Sequence, residues 1–308
     1  MAVTREAIAG ERVLVTGATS QVGWPVVCAL AGSNTVFAAA RFRNDADRAR
    51  VREAGAEPVV CDLGRGDFAD VPRDVAVVLH FAVAKSGDFE RDLRMNAEGP
   101  GLLMEHCRPE RGFLHVSSAA VYEYAGHGPV AENAALGDNH RAMFPTYSLA
   151  KIAAESVVRT AARSLSIPTT IARLSVPYGT GGGWPWFHLL MMQAGSPIDV
   201  HPDAPSVYSP LHEEDYVRQI PALVAAADVP ATTVNWGGRQ AVSIEQWSRH
   251  LGELTGLAPE FVADPAHIGS LELDLTALHR IAEPSRLDWR DGMRRMIESR
   301  QPELLAGR

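Results

Sequence analysis

A tyrosine and a lysine four residues apart, Tyr147 and Lys151, have the types and spacing that most directly indicate chemistry. Residues at positions i and i+4 of a helix share one face, so the two side chains point the same way. A free phenol has a pKa of about 10, and a neighbouring ammonium lowers that pKa by favouring the phenolate. The pair therefore suits proton transfer to a carbonyl oxygen or from an alcohol. A YxxxK spacing is common by chance, so its weight depends on its context.

A hydroxyl residue upstream supplies that context. The run that ends at Val116, Ser117 and Ser118 has the apolar pattern of a buried strand. Ligands of α/β folds bind at the carboxyl ends of parallel strands. Ser118 is therefore placed to donate a hydrogen bond to the substrate oxygen beside Tyr147.

A glycine turn follows the first apolar run, between Gly17 and Gly23. Glycines at a strand-to-helix turn let backbone amides approach a pyrophosphate, and the helix N-terminus adds partial positive charge. Ser20 replaces the middle glycine of the commonest form of this motif, and it is small enough to preserve the close approach. We predict a dinucleotide pyrophosphate site, with a ligand-free tight turn as the alternative.

Two arginines stand where the cofactor's ribose is selected. About 20 residues after such a turn, a carboxylate bonds the ribose 2′-hydroxyl of NAD. This sequence has Arg41 and Arg43 there. A guanidinium pairs with a 2′-phosphate, so the sequence favours NADP over NAD, with a solvated loop as the alternative.

At the end of the third apolar run, Asp62 and Leu63 are candidates for the adenine site, and a cap or turn is the alternative for Asp62.

The elements that must position these residues alternate along the chain. Predicted strands span 12–16, 35–40, 57–61, 75–82, 112–117, 168–174 and 234–236. Predicted helices lie near 22–32, 45–54, 88–107, 146–165, 211–230, 243–256 and 288–299, with one short helix inside 177–210. This alternation indicates βαβ units and a parallel sheet with helices on both faces.

We therefore predict an α/β protein with a doubly wound parallel sheet, the Rossmann fold, and a smaller discontinuous C-terminal lobe. The change of character after about residue 176, where Gly, Pro, Trp and Met accumulate, marks the boundary. The predicted dinucleotide-binding domain comprises 1–176 and 211–240. The predicted substrate-binding lobe comprises 177–210 and 241–308.

Composition excludes several classes of protein. The 308 residues are 46% hydrophobic and 21% charged, as in soluble globular proteins. The net charge of −8 argues against a nucleic-acid partner. No apolar run reaches the roughly 18 residues of a membrane span, and charges interrupt the N-terminal segment, so we expect neither a membrane partner nor a signal peptide. Three scattered cysteines indicate a reducing compartment, and we expect the cytoplasm. The 11 histidines form no ligand cluster, so we expect no metal.

Several segments in order resemble one family. They are a strand-borne TGxxxxxG turn, a VSSxxVY segment, a YxxxK helix, an RxxxPYG segment, and the late segments SPLHEEDYV and VNWGGRQAVSIEQW. Together they resemble the extended short-chain dehydrogenases/reductases, the NAD(P)-dependent epimerase/dehydratase family, over nearly the whole chain. The resemblance is specific for fold and cofactor chemistry and leaves the substrate open.

The resemblance implies roles for individual residues. It makes Ser118, Tyr147 and Lys151 the catalytic trio, with Asn96 bonding backbone near the site directly or through water. It implies a pyrophosphate turn of Gly17, Ser20, Gln21, Val22 and Gly23, a segment Phe81, Ala82 and Val83 along the adenosine half, and Pro177 near the nicotinamide carboxamide. It also implies that the 146–165 helix pairs two subunits, so we expect a homodimer, with an ordinary core helix as the alternative.

Two departures from the family's pattern bear on the substrate. Members that act on nucleoside-diphosphate sugars usually have asparagine where this chain has Val176, and an arginine within the stretch that here spans 205–210 and has none. A diphosphate needs cationic or amide partners. An aromatic and methionine-rich stretch offers an apolar pocket instead, with the core of the lobe as the alternative; its residues are Trp184, Trp186, Phe187, Met191 and Met192.

The sequence thus predicts an NADP-dependent oxidoreductase that interconverts a carbonyl and a secondary alcohol on a small organic substrate. One alternative keeps the fold and predicts an NAD-dependent nucleotide-sugar epimerase or dehydratase. A second alternative predicts a regulatory protein that binds NADP without turnover.

Overall fold

The computed structural model describes residues 8–305. Within that range the strands are β1 (Arg12–Thr16), β2 (Thr35–Ala40), β3 (Glu57–Val60), β4 (Val77–His80), β5 (Gly112–Ser118), β6 (Thr169–Leu174), β7 (Pro177–Gly179), β8 (Gly182–Gly183), β9 (Ile198–Val200), β10 (Val207–Tyr208), β11 (Leu211–His212), β12 (Thr232–Trp236), β13 (Val242–Ser243) and β14 (Phe261–Ala263).

The helices of the same range are α1 (Gly23–Ala31), α2 (Asp45–Glu53), α3 (Phe89–Leu93), α4 (Gly99–Cys107), α5 (Tyr147–Leu165), α6 (Trp184–Gln193), α7 (Glu213–Ala225), α8 (Ile244–Thr255), α9 (Thr276–Ile281) and α10 (Trp289–Arg300). A π-helical turn spans Arg94–Glu98, and 3₁₀ turns span Ala119–Val121 and Pro302–Leu304. None of the helices in residues 8–305 combines the length and the hydrophobicity that a membrane crossing requires.

A seven-stranded sheet organises the molecule, in the order β12-β6-β5-β4-β1-β2-β3. The chain runs outward from β1 to β3 and then returns to β4 on the other side of β1, with parallel pairing along this series. The order therefore reverses between β1 and β4, which opens a crevice at their carboxyl ends. The predicted α/β class with a doubly wound parallel sheet is confirmed.

The main core fills the space between one sheet face and two helices. Leu14, Phe37 and Phe113 contribute from the strands, while Leu103 of α4 and Val158 of α5 contribute from the helices, and each is at most 4% exposed. These strands are apolar on both faces because helices cover both sides of a parallel sheet. The sheet is thus a rigid support for the residues at its carboxyl edge.

The predicted helix 88–107 is divided in the structure. Its middle turn, Arg94–Glu98, is π-helical and separates α3 from α4. Such turns change the direction in which a side chain points and occur often at functional sites. Asn96 lies in this turn and is 3% exposed.

The chain folds into two compact units. Within the described residues, the first unit comprises 8–118, 149–173 and 217–234, and the second comprises 119–148, 174–216 and 235–305. The segment 119–148 thus belongs to the second unit, whereas the sequence predicted it within the dinucleotide-binding domain. The first unit contains most of the central sheet.

The second unit has small sheets and an aromatic core. β11, β7 and β8 form one sheet, β10 pairs with β13, and β9 pairs with β14. Trp247 donates from Nε1 to Nδ1 of His188 at 2.9 Å, and the Trp184 ring packs against both rings. Trp186 and Met192 are buried, which fits the core alternative for the aromatic stretch, while Phe187 is 60% exposed.

Two buried histidines make the first unit sensitive to acid. His80 and His115 face each other on β4 and β5, with ring centroids 5.3 Å apart. Burial, reinforced by the Lys151 charge, lowers the pKa of His80 to about 3 and lowers the pKa of His115 as well. Below pH 6.5 the unfolded chain therefore binds protons that the folded chain does not, so stability falls as pH falls.

We expect His115→Phe to weaken this acid dependence. Both ring nitrogens of His115 are buried without a hydrogen-bond partner among the described residues, so phenylalanine sacrifices no bond. Each such histidine costs about 1.4 kcal/mol of stability per pH unit below its unfolded pKa. Melting temperatures between pH 8 and pH 5 should fall less steeply in the variant, whereas His279→Phe, at an exposed histidine, should follow the wild type. Parallel curves for wild type and His115→Phe would contradict the expectation.

Candidate functional site

A cleft of about 180 Å³ lies at the carboxyl edge of the sheet in the first unit. Its lining residues come from the ends of β1 to β4 and from the π-helical turn: Thr16, Gly17, Thr19, Ser20, Ala39, Ala40, Arg41, Cys61, Leu63, Ala82, Val83, Met95 and Asn96. Seven of the predicted cofactor and catalytic residues are among them, namely Gly17, Ser20, Arg41, Leu63, Ala82, Val83 and Asn96. The cleft coincides with the crevice where the strand order reverses.

The glycine turn forms the floor of the cleft at the end of β1. Gly17 has φ +66°, and a Cβ there would lie 2.8 Å from Ala82 N. A Cβ on Gly23 would lie 2.3 Å from the carbonyl oxygen of Gly17. Ser20 Oγ accepts the Gly23 amide at 3.0 Å, so the serine that replaces the middle glycine binds the first amide of α1. No acidic residue occupies the first turn of α1, which leaves its positive end suited to an anion.

We expect Gly23→Ala to weaken dinucleotide binding by roughly 100-fold, because the new methyl group must push the turn out of shape at a cost of about 1–3 kcal/mol. Gly32→Ala is a matched control in the same helix region, since a Cβ there meets nothing within 4 Å. Isothermal titration with NADPH and NADH measures the change. Wild-type affinity in Gly23→Ala would show that this turn does not hold the pyrophosphate.

Arg41 is the charged residue among those that line the cleft. It directly follows β2 and is exposed, and it forms no ion pair among the described residues. The next residue, Phe42, is buried with φ +42°, a strained conformation that turns the chain sharply between Arg41 and Arg43. Arg43 is exposed and does not line the cleft. Since no carboxylate lines the described cleft, the edge of β2 offers a cation where NAD-binding sites offer an acid.

Asp62 turns away from the cleft. Its Oδ1 accepts the Gly64 amide at 3.1 Å within a tight turn that returns at Asp67. This geometry fits the turn alternative for Asp62. The residues on either side, Cys61 and Leu63, line the cleft instead. Burial raises the pKa of the Cys61 thiol to about 12, so Cys61 contributes an apolar wall and no thiolate.

Asn96 holds the wall of the cleft that is formed by the segment after β4. Its Oδ1 accepts the Ala84 amide at 2.7 Å, and its Nδ2 donates to the Ala84 carbonyl at 2.9 Å. The paired bonds hold the strand extension that runs through Ala82 and Val83 along the cleft. Phe81 is 6% exposed and contributes its backbone, with its amide donating to Thr16 O at 3.3 Å.

Lys151 is held rigidly inside the first unit. It is 4% exposed, and its Nζ donates to the Val116 carbonyl of β5 at 2.7 Å. Two residues further along β5, Ser118 ends the strand and is partly exposed. Ser118 thus ends the same strand whose Val116 carbonyl accepts the Lys151 ammonium.

Tyr147 is the first residue of α5, one helical turn before Lys151. It is partly exposed, and its ring lies 6.0 Å from that of Phe144 and 6.2 Å from that of His140. Its amide donates to the Phe144 carbonyl at 3.0 Å, which fixes the start of the helix. Pro177, the residue predicted near the carboxamide, begins β7 in the second unit. Neither residue lines the cleft.

The comparison with known families identifies the family of this chain. The model of the NAD dependent epimerase/dehydratase family matches residues 13–237. The chain belongs to this family. The resemblance drawn from its motifs is therefore confirmed, and this epimerase/dehydratase family member is an enzyme of the extended short-chain dehydrogenase/reductase type.

Curated relatives of this family member are longer than it is. One is the trifunctional UDP-glucose 4,6-dehydratase/UDP-4-keto-6-deoxy-D-glucose 3,5-epimerase/UDP-4-keto-L-rhamnose-reductase RHM2 of Arabidopsis thaliana, with 28% identity over 261 residues. The alignment covers 77% of this chain and 38% of the relative. The chain thus spans well under half the length of that protein.

Solved structures share the fold almost completely. MoeE5 in complex with UDP-glucuronic acid and NAD has 25% identity and a TM-score of 0.79, over 95% of this chain and 100% of that chain. UDP-glucuronic acid 4-epimerase from Bacillus cereus, in complex with UDP-glucuronic acid and NAD, has 18% identity and a TM-score of 0.80, over 94% and 98% of the two chains. The second likeness shows the fold alone.

The scarcity of lysine is a further signal in the sequence. This family member has 27 arginines and only two lysines, Lys85 and Lys151. Arginine remains charged in proteins, whereas a buried lysine changes its pKa readily. A buried lysine in a chain otherwise supplied with arginine marks a position that requires a primary amine. Cleft residues such as Thr16, Thr19, Ala39 and Met95 carried no comparable signal, because small or apolar residues have no chemistry to read.

Proposed function

We propose that the chain binds NADP(H) and interconverts a secondary alcohol and a ketone on a small organic substrate. The observation that carries the proposal is the buried Lys151 ammonium, one helical turn after a partly exposed tyrosine in α5. A buried cation at that position has no role in solubility, and it favours the phenolate form of a nearby phenol.

Each residue then has a defined task. When bound, the nicotinamide supplies or accepts the hydride. Tyr147 donates its phenolic proton to the carbonyl oxygen during reduction and takes that proton back during oxidation. Ser118 donates a hydrogen bond to the same oxygen, and Lys151 stabilises the phenolate and anchors the nicotinamide ribose. Preorganised hydrogen bonds of this kind are typically worth about 3–4 kcal/mol in the transition state.

The lining of the cleft in the first unit supports a dinucleotide site. A Cβ at Gly17 or Gly23 would collide with backbone, so the turn is built for close packing of the kind a pyrophosphate needs. Arg41 supports NADP, because a guanidinium pairs with a 2′-phosphate. We propose that the first unit holds the dinucleotide, with Gln21 and Val22 completing its contacts, and that the second unit selects the substrate. The role of Pro177, which belongs to the second unit, stays a prediction.

Epimerisation of a nucleotide sugar with NAD is the second candidate, and the comparisons favour it. The solved relatives named above contain UDP-glucuronic acid and NAD. Transient oxidation of one carbinol carbon uses the same tyrosine, lysine and serine. The stretch 205–210, which has no arginine for a diphosphate, counts against this candidate.

Dehydration is less well supported. Loss of water from a sugar requires an additional acid to protonate the departing hydroxyl. The residues that directly follow Ser118 are Ala119 and Ala120, which are buried and carry no ionisable group. The two residues after the strand therefore do not supply that acid.

Product analysis separates the candidates. Purified protein is incubated with NADPH and a panel of ketones, and in parallel with UDP-glucuronic acid and NAD. Stoichiometric NADPH oxidation with alcohol formation supports the proposal. An epimerised UDP-sugar without net change in cofactor supports the second candidate, and tight NADP binding with no turnover in either arm supports a regulatory protein.

The homodimer expectation remains part of this proposal. Leu102 of α4 and Leu149 of α5 are large apolar residues with 47% and 40% exposure. Light scattering at micromolar concentration tests whether two copies associate, and Leu102→Glu should favour the monomer if these helices form the interface.

A further inference from the structure

A buried ion pair lies in the first unit, one helical turn beyond Lys151. Glu155 of α5 and Arg173 of β6 are 3% and 4% exposed. Arg173 donates from Nε to Glu155 Oε1 at 2.9 Å and from Nη2 to Oε2 at 2.7 Å. Ser117 Oγ also donates to Oε1, at 2.6 Å. The Glu155 carboxylate therefore ties α5 to the ends of two neighbouring strands.

Stability does not account for this arrangement. Removing two charges from water costs free energy that their attraction only partly recovers, and apolar residues of similar volume often stabilise such a position as well or better. A buried, bidentate pair is instead suited to fixing one geometry, because its hydrogen bonds are directional.

The geometry it fixes includes Lys151. Along α5, Glu155 follows Lys151 by four residues and shares its face. Along β5, Val116 accepts the Lys151 ammonium and the next residue, Ser117, donates to Glu155. Val116 and Ser117, the two residues of β5 immediately before Ser118, thus form hydrogen bonds with two successive turns of α5.

We propose that Glu155 and Arg173 are positioning residues for Lys151. Their ion pair sets the register of α5 against β5 at which the ammonium reaches the Val116 carbonyl, and it balances the charge around that ammonium. The inference rests on the proposed function, in which Lys151 supports Tyr147.

The charges near Lys151 give the inference a distinctive signature. His80 of β4 and His115 of β5 both sense the Lys151 charge and remain neutral, because burial lowers the pKa of each. Lys151, Glu155 and Arg173 together carry a net charge of +1. Losing Glu155 raises this charge, and losing Arg173 reduces it to zero. The Lys151 pKa should therefore fall in Glu155→Gln and rise in Arg173→Met, whereas a pair too far from the ammonium to act on it predicts no shift of either sign.

The amine itself can be observed without turnover. Protein labelled with ¹³Cε-lysine gives signals from Lys85 and Lys151 alone, and Lys85→Arg assigns them. Titration of the full chain by NMR should move the Lys151 pKa by about half a unit or more in opposite directions in the two single variants. Shifts of the same sign, or no shift, would overturn the inference.

A double variant guards against misfolding of the single ones. Glu155→Leu with Arg173→Met removes both charges together and should keep its melting temperature within a few degrees of the wild type. Dinucleotide affinity should fall no further than it does in Lys151→Ala, since neither residue lines the cleft and both act on the dinucleotide only through Lys151. Turnover should fall at least about 30-fold, and the Lys151 signal should leave its wild-type position. Wild-type turnover with an unchanged Lys151 titration would refute the positioning role.

A matched control uses a second ion pair of the same unit. Arg111 Nη1 contacts Glu11 Oε1 at 2.6 Å, with side-chain exposures of 31% and 27%. Glu11→Leu with Arg111→Met should leave the Lys151 titration unchanged. If Lys151→Ala retains turnover, the proposed function fails; if it loses turnover while the Glu155/Arg173 double variant does not, only the positioning role fails. If the wild type shows no turnover, the NMR titrations alone decide the positioning role.

Discussion

Replacing Tyr147 with phenylalanine is expected to lower turnover by about 10³-fold while NADP(H) affinity stays within about twofold. The substitution removes one hydroxyl group and with it the proton that reaches the carbonyl oxygen. The helix α5 begins at Tyr147, and the hydrogen bond from the Tyr147 amide to the Phe144 carbonyl involves backbone atoms only. The helix should therefore form unchanged. Steady-state kinetics and isothermal titration on the same preparation measure the two quantities.

The control for this experiment is Tyr208→Phe. Tyr208 is a buried tyrosine of the second unit whose hydroxyl donates to the Ile268 carbonyl at 2.9 Å. Its loss should lower the melting temperature without a comparable effect on turnover. Near-normal turnover in Tyr147→Phe would remove Tyr147 from the mechanism, whatever the cofactor.

Changing Arg41 is expected to have the second large effect, on the choice of cofactor. Arg41→Ala should weaken NADP(H) binding by about 30- to 100-fold, because a charge-assisted pair with the 2′-phosphate is worth about 1.5–3 kcal/mol. NAD(H) binding should change less than about threefold, since NAD has no phosphate at that position. Titration of each variant with both cofactors gives the ratio directly.

Two further arginines sharpen this test. Arg43 is exposed and does not line the cleft, so Arg43→Ala should have a smaller effect than Arg41→Ala. Arg52, in the last turn of α2, controls for the loss of one surface charge. An equal loss of NADP and NAD affinity in Arg41→Ala would mean that Arg41 does not recognise the 2′-phosphate.

The sequence predicted the central sheet well because its strands are buried on both faces. β1 and β2 have the predicted bounds, and β5 is one residue longer than predicted. β4 is shorter than the predicted 75–82 and spans Val77–His80. Its apolar run continues beyond the assigned strand because Val75 and Phe81 are buried as well, and the Phe81 amide still donates to the Thr16 carbonyl of β1. An apolar run therefore reports burial more faithfully than it reports the bounds of a strand.

The second unit was harder to predict for a physical reason. Its strands are two or three residues long, as in β8 (Gly182–Gly183), which is too short for an alternating pattern to develop. The short helix α9 was also missed, and the π-helical turn was hidden inside one continuous helical pattern. These features depend on tertiary contacts that no local pattern contains.

The candidate site divides in the same way. Gly17, Ser20 and Arg41 were found because a turn motif and a charge have recognisable spacing. The Glu155–Arg173 pair was not found, because 18 residues separate its members and only the packing of α5 on the sheet brings them together. Residues expected to contact a ligand were thus easier to predict than residues that position other side chains.

The scarcity of lysine has a practical consequence for anyone handling this protein. Lys85 is exposed and lies two residues after Val83, which lines the cleft, while Lys151 is buried. Amine-reactive dyes, crosslinkers and sensor chips will therefore attach through Lys85 in preference to Lys151, close in the sequence to a residue that lines the cleft. Immobilisation should use a thiol or an affinity tag, and acylation of Lys85 that slows when NADP(H) is added would itself report occupancy of the cleft.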